Sequence, residues 1–277
     1  MEYGKLYLVA TPIGNLDDIT IRAVKTLREV DIIAAEDTRH SLKLLNHLGI
    51  TKPLISYHRH NEEVKSAVLI EKIKEGKDIA LITDAGTPGI SDPGEDVVKE
   101  AIKNKVDIIP IPGACAAINA LITSGLGTDE FAFYGFLPLN KKNRENKLED
   151  IKNQNKTIVI YEAPHRLKDT LIEINEKFGN IYIVIAKEIT KIHETFYRGY
   201  INEIIEKIKD PKGEYIIIFE MHANTSKEEQ IEAINKLTIE EQYKYYEKQN
   251  MDKKNIIKQI AKNNKVPKDE IYKKFIK

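Results

Sequence analysis

Residues 78–83, dominated by apolar side chains, run into eleven residues that hold three glycines and two prolines (84–94), and then into the amphipathic segment 95–102. The order reads as a buried strand, a stiff loop and a helix. Glycines let a ligand approach the backbone closely, and prolines hold a loop's shape. Two further segments repeat the pattern. Residues 6–18 pass from an apolar stretch through Pro12, Gly14 and Asn15 toward a helix starting near Ile19 and Thr20. Residues 106–117 end in Pro112 and Gly113, and small residues then open another helix. In a parallel sheet all three loops leave by the carboxyl edge of the strands, where ligands of open α/β sheets bind.

Strands are expected at residues 5–10, 31–35, 53–57, 78–83 and 106–110, with helices between them, among them 21–29 and 64–75. This alternation predicts a doubly wound α/β domain with a parallel sheet. Residues 131–136 read as one more strand. The polar stretch 139–147 reads as an exposed interdomain linker. Strands at 157–161, 181–186, 194–200 and 215–220 predict a second, mixed α/β domain. Segments 226–237, 239–249, 253–262 and 267–276 have helical periodicity, and Ser226 with Glu229 forms a capping-box pattern. Residues 251–277 carry nine lysines against three carboxylates. The expected domains are therefore 1–137, 138–224 and a helical, helix-turn-helix-like tail, 225–277.

Lysine plus arginine balances aspartate plus glutamate at 43 each, so nucleic-acid binding would depend on local patches. The one cysteine, Cys115, cannot form an intramolecular disulfide, which suits a reducing cytosol. Met1 leads directly into a strand without signal-peptide regions, and no apolar run approaches ~18 residues, so a cytoplasmic chain with no membrane partner is expected. No Gly-x-Gly-x-x-Gly follows the first strand. His58 and His60 lack a third ligand nearby, and no metal is expected. Cys115 reads as a small residue in a packed loop, since nothing beside it in sequence would activate a thiolate.

Several strings resemble one family: residues 9–20, 35–39, 83–94, 111–114, 135–138, 161–166, 186–191 and 193–194. Together they are similar to the tetrapyrrole methylase-like superfamily of enzymes dependent on S-adenosylmethionine (SAM). The match is strongest to its branch of ribosomal small-subunit RNA cytidine-2'-O-ribose methyltransferases. The resemblance covers nearly the whole chain. It implies a two-domain fold with SAM in the cleft, a homodimer, and small-subunit rRNA or the ribosomal subunit as partner. The implied reaction is 2'-O-methylation of a cytidine in the decoding region. Carried over by motif, the cofactor-binding set is Pro12, Ala85, Gly86, Thr87, Ile90, Cys115, Ala116, Glu162, Ala163 and Lys191, with the turn Gly213-Glu214 beside it. Ala85-Gly86-Thr87-Pro88 stands where tetrapyrrole enzymes usually carry Gly-Gly-Asp-Pro, which points away from a corrin substrate.

A ribose 2'-hydroxyl is a poor nucleophile until a base or a nearby cation assists it. Lys187 and Glu188 follow a strand end and are the expected proton acceptor or electrostatic stabiliser, with Glu36, Asp37 and His193 behind them. Arg39, Lys141, Lys142, Arg144, His165 and Arg166 are expected to contact RNA phosphates. Tyr57, Tyr134 and Tyr161 could stack a base. Two other readings compete: a tetrapyrrole or precorrin methyltransferase, and a non-catalytic RNA-binding module.

Overall fold

A computed structural model of the chain describes residues 2–222, 234–235, 237–248, 251–264 and 266–275. They form two compact units, Met1–Met221 and His222–Lys277.

The first unit begins with five strands: β1 (Leu6–Val9), β2 (Ile32–Ala35), β3 (Leu54–Ser56), β4 (Ile79–Ile82) and β5 (Ile108–Ile111). Their order is β3-β2-β4-β1-β5, and every pairing is parallel. Parallel neighbours need long crossovers. Helices α1 (Ile21–Glu29), α2 (Thr38–His47), α3 (Glu62–Lys74) and α4 (Glu95–Lys103) supply them. Helices on both faces explain why all four residues of central β4 are buried. Thr20 and Asp37 cap α1 and α2 by accepting from the Ala23 and Arg39 N–H groups, so both loops stop where their side chains turn back.

The chain then changes sheet. Helix α5 (Ala116–Ser124) packs its buried Ala117, Ala120 and Leu121 on a second five-stranded sheet. That sheet contains β6 (Phe131–Phe136), β7 (Lys156–Glu162), β8 (Tyr182–Lys187), β9 (Thr195–Tyr200) and β10 (Tyr215–Met221) in the order β6-β7-β10-β8-β9. Its other face carries α6 (Lys141–Lys152), α7 (Pro164–Phe178) and α8 (Ile201–Lys207).

Two sequence expectations change here. Strand β6 belongs to the second sheet rather than to the N-terminal alternation. The stretch expected as a linker is mostly helix, because β6 and β7 run parallel and α6 is the crossover that joins them. Every expected strand end in both sheets lies within two residues of the observed one.

In the second unit, α9 (Ile239–Lys248), α10 (Lys253–Asn263) and α11 (Lys268–Phe275) pack around Tyr246, Ile256, Ile257, Ile260 and Ile271. Asp252 caps α10 through the Lys254 and Asn255 N–H groups. The expected helix over 226–237, with its capping box, falls largely outside the described residues, as do Lys265 and Lys277.

Candidate active site

The three loops singled out in sequence meet. Thr11 and Gly86 exchange backbone hydrogen bonds at 2.8 and 3.1 Å, joining the β1 loop to the β4 loop. Thr87 Oγ1 donates to the Ala114 carbonyl at 3.0 Å, joining the β4 loop to the β5 loop. Gly86 has φ +86°, and a Cβ on it would meet Ile13 Cγ2 at 3.3 Å. These loops form one wall of a cavity of about 460 Å³. The facing wall comes from the second sheet: Phe136 ends β6, Tyr161 to Pro164 lie at the end of β7, Ala186, Glu188 and Ile189 lie at and just after the end of β8, and Glu214 to Ile216 begin β10. The volume falls in the range typical of small-molecule sites.

Eight of the ten expected cofactor residues line this cavity: Ala85, Gly86, Thr87, Ile90, Cys115, Ala116, Glu162 and Ala163. Pro12 is buried and lies outside the lining, next in sequence to Ile13, which is part of it. Lys191 lies outside the lining but acts through it, since its ammonium bridges Glu188 Oε1 and Glu214 Oε2 at 2.9 Å each. Glu162 presents little chemistry to the cavity. Its Oε1 accepts from the Ala163 N–H at 2.9 Å and stands 3.5 Å from Arg166 Nε, and its Oε2 accepts from Thr170 Oγ1 and pairs with Arg144.

That network corrects two of the RNA expectations. The Arg144 side chain is 8% exposed and pairs with Glu162 and Glu173 on the inner face of α6. The Arg166 guanidinium binds the Leu137 carbonyl and Glu162. Both are committed inside the fold, because a buried carboxylate demands compensating charge. Lys141, Lys142, His165 and Arg39 are exposed, and Arg39 pairs with Asp37 at 3.0 Å.

Lys187 and Glu188 diverge. Lys187 leaves the cavity and lies 6.0 Å from the Tyr215 ring centroid. Glu188 lines the cavity, but its Oε1 accepts from both Lys191 Nζ and the Glu214 N–H. Burial pushes its carboxyl up, while those hydrogen bonds and the two lysine charges outweigh burial and hold it below the usual carboxylate range. Gly213 makes room for this arrangement, since a Cβ there would lie 2.5 Å from the Glu188 carboxylate.

Sequence reasoning passed over two carboxylates of this cavity, Asp84 and Asp92, and held Glu36 only in reserve. Asp92, Asp84 and Glu36 line the cavity on the loops after β4 and β2. Burial, then the Glu36 charge and to a lesser extent that of Asp84, push the Asp92 carboxyl up to about 7 against the pull of Arg59. Burial raises Glu36 as well. Asp92 sits inside the Gly/Pro loop that drew attention, yet an Asp-Pro pair there reads as turn chemistry. Among the described residues, no group of three His, Cys, Asp or Glu side chains is arranged to hold a metal ion.

Fold and site define an α/β protein with a ligand cavity between the carboxyl edge of a parallel sheet and a mixed sheet, without a dinucleotide fingerprint. A crystal structure of a diphthine synthase shares this fold with a TM-score of 0.64, over 79% of this chain and 90% of its own, at 16% identity. A cobalt precorrin-4 methyltransferase shares it with a TM-score of 0.57, over 77% and 94%, at 18% identity. Residues 5–205 match the family described as Tetrapyrrole (Corrin/Porphyrin) Methylases. A Halalkalibacterium halodurans protein named ribosomal RNA small subunit methyltransferase I is 46% identical, over 98% of this chain and 94% of the relative. The Bacillus subtilis protein of the same name is 44% identical over the same shares. The chain belongs to the tetrapyrrole methylase family and, within it, to the group formed by these relatives.

Proposed function

We propose that the protein is a SAM-dependent methyltransferase of small-subunit rRNA that modifies the 2'-oxygen of a cytidine in the decoding region. The supporting observation is the cavity in which the family's loop motifs converge, in a chain 46% identical along nearly its whole length to a protein named for that rRNA activity. The branch-level motifs support the cytidine 2'-O position. The same reading takes the protein as a cytoplasmic homodimer.

The residues present fit SAM. Glu36, Asp84 and Asp92 give the cavity a cluster of carboxylates with no salt bridge among the described residues, attracted only from outside the lining by Arg59, and so suited to a cationic ligand. Gly86 exposes backbone where any side chain would intrude. When bound, SAM supplies a methyl group on a sulfonium, a good leaving group. Ala85, Gly86 and Thr87 hold the ligand by main chain, and Ile13, Ile189 and Ile216 keep water from the reacting centre. The attacking hydroxyl must lose its proton. Asp92 holds or releases one near neutrality and is the best-matched acceptor in the cavity. Glu188, bound by Lys191 and Glu214, positions the cavity wall instead. Lys141, Lys142, Arg39 and His165 remain as the exposed phosphate contacts, with the basic tail.

The test is incubation with SAM and small subunits lacking ribose methylation, followed by mass mapping of the rRNA. One new 2'-O-methylcytidine in the decoding region is expected. Methylation at another atom or base would overturn the specificity, and absence of any methylation would overturn the reading.

A further inference from the structure

Phe136 is 53% exposed and lines the cavity. Exposure alone means little, since single apolar side chains are common on surfaces. Its placement carries the argument. Strand β6 pairs Phe133 with Val159 and Phe136 with Tyr161, so three steps on β6 oppose two on β7. Strict alternation would send Phe136 to the face opposite Phe133, with Ala132 and Tyr134 on the α6–α7 core. The extra residue returns it to the cavity face.

The bulge is keyed in place. Gly135 has φ +58°, and a Cβ on it would stand 2.9 Å from Ser91 Oγ, in the loop after β4. The result is a row of three rings. Tyr161 lies edge-on to Phe133 at 4.8 Å and to Phe136 at 5.7 Å. Its hydroxyl accepts from the Ala117 N–H at 3.0 Å, which fixes the middle ring. The inner two rings are partly buried, and the outer one faces solvent at the cavity. Five and six residues further on, Lys141 and Lys142 stand exposed in the first turn of α6.

A nucleotide reacting at a cavity of this kind must leave its stack, and proteins hold unstacked bases on aromatic side chains with cations tracking the backbone. We propose that Phe136 is the platform on which the extruded pyrimidine of the acceptor nucleotide stacks. This rests on the proposed function and adds how the substrate is presented: one nucleotide turned out of its RNA, its base on Phe136 and its ribose toward the cofactor.

The experiment compares Phe136→Leu, Phe136→Ala and Phe136→Trp with the parent, using SAM and small subunits lacking the modification. Base stacking on an aromatic side chain contributes about 1–3 kcal/mol, or roughly fivefold to a hundredfold in binding. The Leu and Ala variants should raise KM for the subunit about tenfold, with kcat within threefold, SAM affinity by calorimetry within twofold and unchanged thermal unfolding. The Trp variant should restore KM, because it offers a π-face that Leu lacks. Unchanged KM in the Leu variant, with normal methylation by the parent, would overturn the platform and leave the functional reading standing. A parallel loss of SAM affinity would assign Phe136 to the cofactor and also overturn it. Failure of the parent to methylate would remove the functional reading itself.

Discussion

Glu188 and Lys191 form an ion pair at 2.9 Å that joins the end of one strand to the start of another, since Glu188 Oε1 also accepts from the N–H of Glu214. The pair also packs against the loop after β1, outside the cavity lining. The Cγ of Lys191 lies where a side chain on Gly14 would begin, and Thr190 Oγ1 would be 2.9 Å from that Cβ. Glu188→Gln keeps an acceptor for both donors, so single-turnover methylation should stay within about threefold of the parent. Loss of a general base costs about 10²–10⁴-fold. A loss of that size in Glu188→Gln, at saturating SAM, would return Glu188 to the chemistry.

Asp92 should make SAM binding depend on pH. A cationic ligand favours the carboxylate, so affinity should rise as pH passes upward through about 7. Calorimetry from pH 6 to 8 should show that rise in the parent, and a weaker, flat profile in Asp92→Asn.

The same group should cost the ligand-free protein stability. Its folded carboxyl titrates above the unfolded value of 3.8, so the folded state binds more protons between the two and stability falls as pH rises from about 4 to about 7. After discounting for solvent screening, Asp92→Asn should gain about 1 kcal/mol at pH 7, raising Tm by ~2–4 °C. The gain should shrink toward pH 4.5, and a variant-minus-parent difference in Tm that is the same at pH 7 and pH 4.5 would show that burial exerts no such pressure.

Gly86→Phe should abolish SAM binding. Any side chain there is strained at φ +86°, and its volume would enter the cavity beside Ile13. Circular dichroism should report a folded chain. Normal SAM affinity in that folded variant would make the loop a simple turn.

Neighbouring cations on α6 should behave differently. Arg144→Met leaves Glu162 with only Arg166 for charge compensation, and the loss should be about 2–4 kcal/mol in denaturant unfolding. Lys141→Gln with Lys142→Gln should leave stability unchanged and flatten the salt dependence of subunit binding by about 1.5–2 units of slope. An unaltered slope would place the RNA elsewhere.

The cavity's first wall was legible because it is made of consecutive residues. Residues 84–94 and 111–117 carry their glycines, prolines and small side chains in one string each, and the backbone itself does the work. The commitments of charged side chains were not legible. Arg144 looked like one cation in a polar stretch, although Arg144, Leu148 and Ile151 recur at helical spacing and could have exposed a buried face. Its partner Glu162 is 18 positions away, and only the parallel β6–β7 pairing brings them together. Asp92 escaped notice for a similar reason: its raised carboxyl comes from burial in the assembled cavity and then from the charge of Glu36, on the loop after β2. The bulge that turns Phe136 toward the cavity depends on the register between two strands, a property no single segment contains.

Strand β10 is last in the first unit and lies in the middle of its sheet, between β7 and β8. During synthesis the parallel sheet can close once residue 111 has emerged, long before its neighbour is complete. Until β10 arrives, β7 and β8 each present an unpaired edge of buried isoleucine and valine, the kind of surface that recruits other chains. Glu214, Tyr215 and Ile216 also finish the cavity wall. A nascent chain shorter than about residue 221 therefore has every loop motif and no site, and ligand binding reports completion of the second sheet.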